Sequence, residues 1–177
     1  ADKITQEVHY VGQSDKPELL KKHLGAHKGE LALVFARTKH GAERMSKQLE
    51  AAGFKSGSIH GNKSQGQRER TLKMARDGKL DVLVATDVAA RGIDIPLVRY
   101  VYNYELPNVP ENYVHRIGRT ARAGRDGKAV AFCSPAELGE FRAIEKVMKI
   151  SIPVATPASW SDDAAMPGPK RGGGGGG

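Results

Sequence analysis

Residues 31–35 read Leu-Ala-Leu-Val-Phe, a continuous apolar run of strand length with no polar residue to turn toward water. Such a run suits a strand covered on both faces, as in parallel sheets. Leu80–Ala85 (LDVLVA) nearly repeats it. Working outward, Gln6–Val11 reads as a short strand, and Lys16–Leu24 as a helix opened by Ser14-Asp15 with Pro17 in its first turn. A helix from about Gly41 carries Ala42, Met45, Leu49 and Ala52 on one stripe, with Gly53 where a C-terminus wants a left-handed residue. Ser56–Ile59 is a strand, Gln65–Asp77 a basic helix stopped by Gly78, and Arg99–Asn103 a further strand. Glu111–Ile117 reads as helix, Lys128–Cys133 as strand and Pro135–Met148 as a closing helix. Strand alternating with helix predicts an α/β domain over residues 1–150, with a mostly parallel sheet and helices on both faces. From 151 to 177 Pro and Gly take over, ending in six glycines, which predicts a flexible tail outside the core. Trp160 is the one bulky residue there, and the sequence does not decide whether it docks.

A chain of 177 residues suits one domain with a real core. Hydrophobic residues make up 39% and charged residues 27%, as in soluble globular proteins. No apolar run nears the ~20 residues needed to span a bilayer, and no basic-then-apolar leader opens the sequence. The single Cys133 excludes a disulfide framework and any Cys-based zinc site within one chain, and no metal site is expected. These features point to the cytoplasm. The formal net charge is +8, and Lys170 and Arg171 cancel Asp162 and Asp163, so all of it lies before residue 151. Lys63, Arg68, Arg70, Lys73 and Arg76 against Glu69 leave +4 in one short segment. Arg116, Arg119, Arg122 and Arg125 against Glu111 leave +3 in another. Like charges so dense repel unless an anion lies against them, so a polyanion is the expected partner.

In parallel α/β sheets ligands sit beyond the carboxyl ends of the strands. The polar turns there are Arg37-Thr38, His60-Gly61, Thr86-Asp87 and Asn103–Pro107. A G-x-x-x-x-G-K-[ST] phosphate loop is absent, and no strand ends in Asp-Glu to hold magnesium. The 177 residues alone are therefore not expected to hydrolyse a nucleotide. Tyr113–Arg125 (YVHRIGRTARAGR) sets four arginines at every third position, suited to bidentate capture of phosphate oxygens. Structural ion pairs are the alternative, but only Glu111 and Asp126 stand nearby in sequence. His115 taken alone reads as a packed histidine, since no Ser or Cys nucleophile accompanies it. In Ala85–Asp94 (ATDVAARGID), Gly92 allows close backbone approach to a ligand, Thr86 can donate to phosphate and Asp94 can accept from sugar hydroxyls. Asp87 equally suits a helix cap.

These strings together resemble the C-terminal RecA-like domain of a DEAD-box RNA helicase. Val34–Thr38 resembles motif IV, Gln67–Arg70 the QxxR motif, Ala85–Asp94 motif V and His115–Arg122 motif VI, in family order. Ala121 departs from the family's usual Gly. Ile59–Gln65 and Asn103–Pro107 are similar to the bacterial RhlE-like subgroup. The resemblance implies that Arg119 and Arg122 act as arginine fingers on the γ-phosphate, and that Asp94, with Gly92 beside it, meets the ATP ribose. It implies that His115 and Arg116 couple to the acidic box of an N-terminal RecA-like domain, which would hold most of ATP and Mg2+. Arg37, Thr38, Gly61, Gln67, Arg70, Thr86 and Arg91 would lie along the RNA backbone. RNA-processing or ribosome-assembly partners are implied, with no membrane role. Two rivals are a non-catalytic RNA-binding or docking module and a DNA-directed helicase of the same superfamily. Lys170-Arg171 suits an RNA-tethering extension as well as a plain linker.

Overall fold

The computed structural model describes residues 3–120 and 126–155. Six strands form one sheet: β1 (Lys3–Tyr10), β2 (Ala32–Phe35), β3 (Ser56–Ile59), β4 (Val82–Ala85), β5 (Tyr100–Asn103) and β6 (Asp126–Cys133). Their order is β1-β6-β5-β2-β4-β3 and every pairing is parallel, so all six carboxyl ends lie along one edge. The helices are α1 (Lys16–Ala26), α2 (Lys39–Ala51), α3 (Gln65–Arg76), α4 (Asp87–Ala90), α5 (Pro110–Ile117) and α6 (Leu138–Met148). The expected α/β architecture is therefore present, and the sheet is wholly parallel.

The apolar run that predicted a two-sided strand divides as its period of two requires. Ala32 and Val34 join Leu20 and Leu24 of α1 and Met45 and Leu49 of α2 on one face. Leu33 and Phe35 join Leu72 and Ala75 of α3 on the other. A further cluster on β1 and β6 packs Ala129, Ala131 and Val8 against Tyr113 and Ile117 of α5 and Phe141 and Ile144 of α6. The chain leaves β2 for β3 on one side and crosses from β4 to β5 on the other, so the order reverses at β2. That reversal opens a crevice at the carboxyl tips of β2, β4 and β5.

Local chemistry sets the helix ends. Thr38 Oγ1 caps α2 by accepting from Gly41 N at 3.0 Å. Gly53, at φ +97°, ends the same helix in the left-handed conformation its position suggested. The expected closing helix instead begins as a 3-10 turn at Pro135–Glu137 before α6.

The boundary expected at residue 150 needs correction. Ile152 is buried, and its N–H donates to Glu145 Oε2 at 2.8 Å. Val8 N donates to Pro153 O at 2.9 Å and Ala155 N to Val8 O at 2.8 Å. Residues 152–155 thus run along the free edge of β1 and satisfy backbone groups there. Trp160, Lys170-Arg171 and the glycine run lie outside the described residues. Among the described residues no helix is long and apolar enough to cross a membrane.

Candidate nucleotide and nucleic-acid interface

Arg116 is the hub of the strand tips. It is 1% exposed, and its Nε and Nη2 donate to both oxygens of Asp87, each at 2.7 Å. Its Nη1 donates to Asn103 Oδ1 at 3.2 Å and to Glu105 O at 2.6 Å. Its guanidinium lies over the Phe35 ring, 5.0 Å from the centroid. One side chain from α5 thus joins the ends of β2, β4 and β5. A residue expected to reach toward ATP and an outside lobe is instead spent inside the domain. Burial of so large a cation is tolerable because donors on all three of its nitrogens are met. Asp87 is correspondingly an arginine anchor, and the cap of α4 is Thr86, whose Oγ1 accepts from Ala89 N at 3.3 Å.

Two clefts open around this hub. A volume of about 540 Å3 is lined by Asp94, Ile95, Leu97, Val114, His115 and Arg119, among others. A second, of about 140 Å3, lies between Asp87, Arg91, Asn112 and Arg116 and also touches His115 and Arg119. The two shared residues make them arms of one groove. Arg119 is half-buried, and its Nη2 donates to Ala90 O at 3.1 Å. Among the described residues no carboxylate reaches ion-pair distance of it, so its charge is uncompensated. Its backbone is fixed: Val98 N donates to Arg119 O at 3.1 Å, and the Thr120 hydroxyl donates to Val98 O. Asp94 and His115 are exposed in the groove. Gly92 takes φ +76° in open space, so backbone conformation, not crowding within the chain, excludes a side chain there. Arg122 and Ala121 lie outside the described residues.

The residues expected on RNA divide into two groups. Gly61, Arg70 and Arg91 are exposed, and Arg70 and Arg91 carry no ion pair among the described residues. The remainder make side-chain hydrogen bonds within the domain, although Thr38 and Gln67 are exposed as well. Arg37 donates through Nε and Nη2 to Leu106 O at 3.2 and 2.7 Å, and its Nη2 lies 3.5 Å from Glu137. Thr38 and Thr86 cap helices, and Thr86 is 6% exposed. Gln67 closes a capping box: Ser64 Oγ accepts from Gln67 N at 3.1 Å, and Gln67 Oε1 accepts from Ser64 N at 2.8 Å.

The Gly61 turn is held through Glu43, a residue that sequence reasoning missed. Glu43 Oε1 accepts from Ser58 Oγ at 2.9 Å, meets His60 Nε2 at 2.8 Å and lies 3.2 Å from Lys63 Nζ. His60 Nδ1 accepts from Asn62 N at 3.2 Å, so Nε2 carries the proton offered to Glu43. The His60 hydrogen bond, with help from Ser58 and Lys63, holds the Glu43 carboxyl down at about 2. Cys133 supplies no nucleophile, because burial pushes its thiol up to about 12.

The helicase conserved C-terminal domain model matches residues 15–124. The chain belongs to that family. It is 44% identical over 152 residues to the ATP-dependent RNA helicase CshA of Listeria monocytogenes, covering 86% of this chain and 29% of the relative. It is 45% identical over 149 residues to the ATP-dependent RNA helicase DeaD of Mycobacterium tuberculosis, covering 84% and 26%. The fold superposes on a DEAD box protein from the hyperthermophile Methanococcus jannaschii with TM-score 0.80 at 41% identity, over 85% of this chain and 41% of that one. The C-terminal domain of the DEAD-box protein Dbp5 gives TM-score 0.80 at 31% identity, over 92% and 94%. The chain is therefore a C-terminal helicase domain of the DEAD-box kind with a RecA-like fold. It spans about a third or less of the curated relatives named here.

Proposed function

We propose that this helicase domain is one lobe of an ATP-dependent RNA helicase, which works only when closed against an N-terminal RecA-like lobe outside the 177 residues. The observation that carries the reading is the groove at the carboxyl edge of the sheet, where Asp94, His115 and Arg119 converge and Arg119 has no counter-charge among the described residues. ATP, with Mg2+ held mainly by the other lobe, supplies the phosphoanhydride bond whose hydrolysis drives the cycle. On this side Asp94 accepts from ribose hydroxyls, and Arg119, with Arg122, neutralises charge building on the transferring phosphoryl group. His115, beside Arg119 in the groove, faces the other lobe. Arg116 acts from beneath, holding α5 so that Arg119 leaves a rigid base.

Arg70, Arg91 and the backbone of the Gly61 turn offer an exposed, cationic surface to the RNA strand. Contacts of this kind read phosphate and sugar, so binding is salt-sensitive and largely sequence-independent. Arg37, a third exposed while its Nε and Nη2 hold Leu106 O, adds its charge to that interface. Closure bends the strand and parts a short duplex, and phosphate release reopens the groove. The strings Ile59–Gln65 and Asn103–Pro107 favour a RhlE-like member with RNA-processing or ribosome-assembly partners.

The test is RNA-stimulated ATP hydrolysis by the full-length protein and its Arg119→Ala and Arg122→Ala variants. Hydrolysis is expected to fall at least ~100-fold in each, as when one transition-state donor is removed, with RNA affinity largely kept. Equal loss of RNA binding and hydrolysis would place these arginines on RNA instead. Stimulation by DNA as strong as by RNA would favour the DNA-directed rival, and an absence of hydrolysis in the intact protein would favour the non-catalytic module.

A further inference from the structure

A metal-ligating set lies apart from the groove. Glu7 and His9 are two residues apart on β1 and so share one face of the sheet, and His23 comes to them from α1. One ligand atom from each of the three lies within 4.8 Å of the other two. His9 Nε2 is 2.8 Å from Glu7 Oε2, and the His9 and His23 rings meet edge to face with centroids 4.8 Å apart. His9 is 7% exposed, and its Nδ1 is buried with no hydrogen-bond partner. An orphaned buried ring nitrogen is costly, and direct ligation of that nitrogen by an ion would relieve the cost. We propose that Glu7, His9 and His23 bind a divalent transition-metal ion of the zinc class and so clasp α1 to β1.

Two imidazoles and one carboxylate suit zinc, whereas calcium and magnesium favour oxygen alone. Ligands 2.0–2.1 Å from one tetrahedral ion lie about 3.3 Å apart, so the set must tighten by roughly 1.5 Å at its widest. His23, half-buried on α1 with its ring edge-on to Tyr102 and Phe132, must supply that movement by a side-chain rotation. Water would take the fourth position. His27 is unsuited to join, since its Nε2 is bonded to the Tyr102 hydroxyl at 2.7 Å and its ring stacks on Tyr100. Lys128 Nζ lies 3.2 Å from Glu7 Oε1 and His9 Nε2 lies 2.8 Å from Oε2, so an ion must displace one of these contacts, and the Lys128 charge opposes binding. None of the three ligands lines either arm of the groove.

The 177-residue chain is titrated with zinc chloride by calorimetry, and with cobalt chloride by visible absorption. One equivalent of zinc is expected to bind with micromolar affinity and to raise the thermal midpoint, while cobalt gives the intense bands of four-coordination. His23→Gln and Glu7→Gln, both at partly exposed positions, should each weaken binding at least ~10-fold, the loss that even outer-sphere partners cause. Lys128→Gln should tighten it, because an opposing ammonium is gone. His40→Gln, on an exposed residue elsewhere, should change nothing. Millimolar binding, or affinity unchanged by His23→Gln, or weakening by Lys128→Gln, would overturn the site. ATP hydrolysis does not enter this test, so its outcome is separable from the helicase reading.

Discussion

Removing the carboxylate of Asp87 while leaving Arg116 in place should be among the most damaging single changes in the domain. The substitution Asp87→Ala deletes two charge-assisted hydrogen bonds of 2.7 Å to a guanidinium that is 1% exposed. Breaking a buried pair from one side costs about 3–5 kcal/mol, because the remaining charge stays desolvated. The Asp87 side chain is 19% exposed, so water can enter where the carboxylate stood, which favours the lower end of that range. Asn103 Oδ1 and Glu105 O still accept from Nη1, which again limits the loss. With an unfolding entropy near 2.1 cal/mol/K per residue over roughly 150 folded residues, 3–5 kcal/mol lowers the midpoint by about 10–16 °C. The assay is thermal and urea unfolding of the 177-residue chain followed by circular dichroism. Arg116→Met in the Asp87→Ala background should recover part of the loss, since no unpaired charge is then buried. A loss below about 1 kcal/mol for Asp87→Ala, or simple additivity in the double variant, would show that Arg116 is not held as described.

Glu43→Gln tests the Gly61 turn. Because Glu43 is held at about 2, below its ordinary 4.5, it contributes stability above pH 4.5 that is lost as pH falls toward 2. The wild-type midpoint should therefore drop more steeply than that of Glu43→Gln across that window, and parallel pH profiles would refute the linkage. Gln67→Ala opens the Ser64 capping box and should cost about 1 kcal/mol in urea unfolding even without RNA. An unchanged stability would return Gln67 to a purely RNA-facing role. Arg70→Ala and Arg91→Ala should each weaken binding of single-stranded RNA uniformly across sequences, with the log–log salt slope falling by about 0.7 for each phosphate no longer neutralised. Fluorescence anisotropy at several salt concentrations checks this, and an unaltered slope would remove that arginine from the interface.

The sheet was legible because its strands are apolar runs bounded by polar turns, so Leu31–Phe35 and Ser56–Ile59 declared themselves within a residue. Gly53 and Gly78 marked helix ends for the same local reason. Asp94, His115 and Arg119, singled out by their motifs, line one groove. What the sequence hid are pairings of residues far apart in the chain. Asp87 and Arg116 are 29 positions apart, so counting carboxylates beside the arginines in sequence missed the relevant one. Lys16 is fully buried against Glu137, a partner 121 positions away. A signal was present in the first case: Asp87 lies two residues beyond the end of buried β4, on the edge that α5 crosses. Two further signals are present in the sequence. Ser64-Gln65-Gly66-Gln67 has the spacing of a capping box, a local role for Gln67 beside the RNA contact its motif implies. Ile152 and Val154 alternate as an edge segment should, but Pro153 between them suggested tail.

That last segment bears on how the domain can be handled. A fragment cut at residue 150 would strip Val8 of both backbone partners and uncover the middle of the eight-residue strand β1. Unprotected ladders recruit copies of themselves, so such a trimmed protein should elute as oligomers or precipitate, while one ending after 155 stays dispersed.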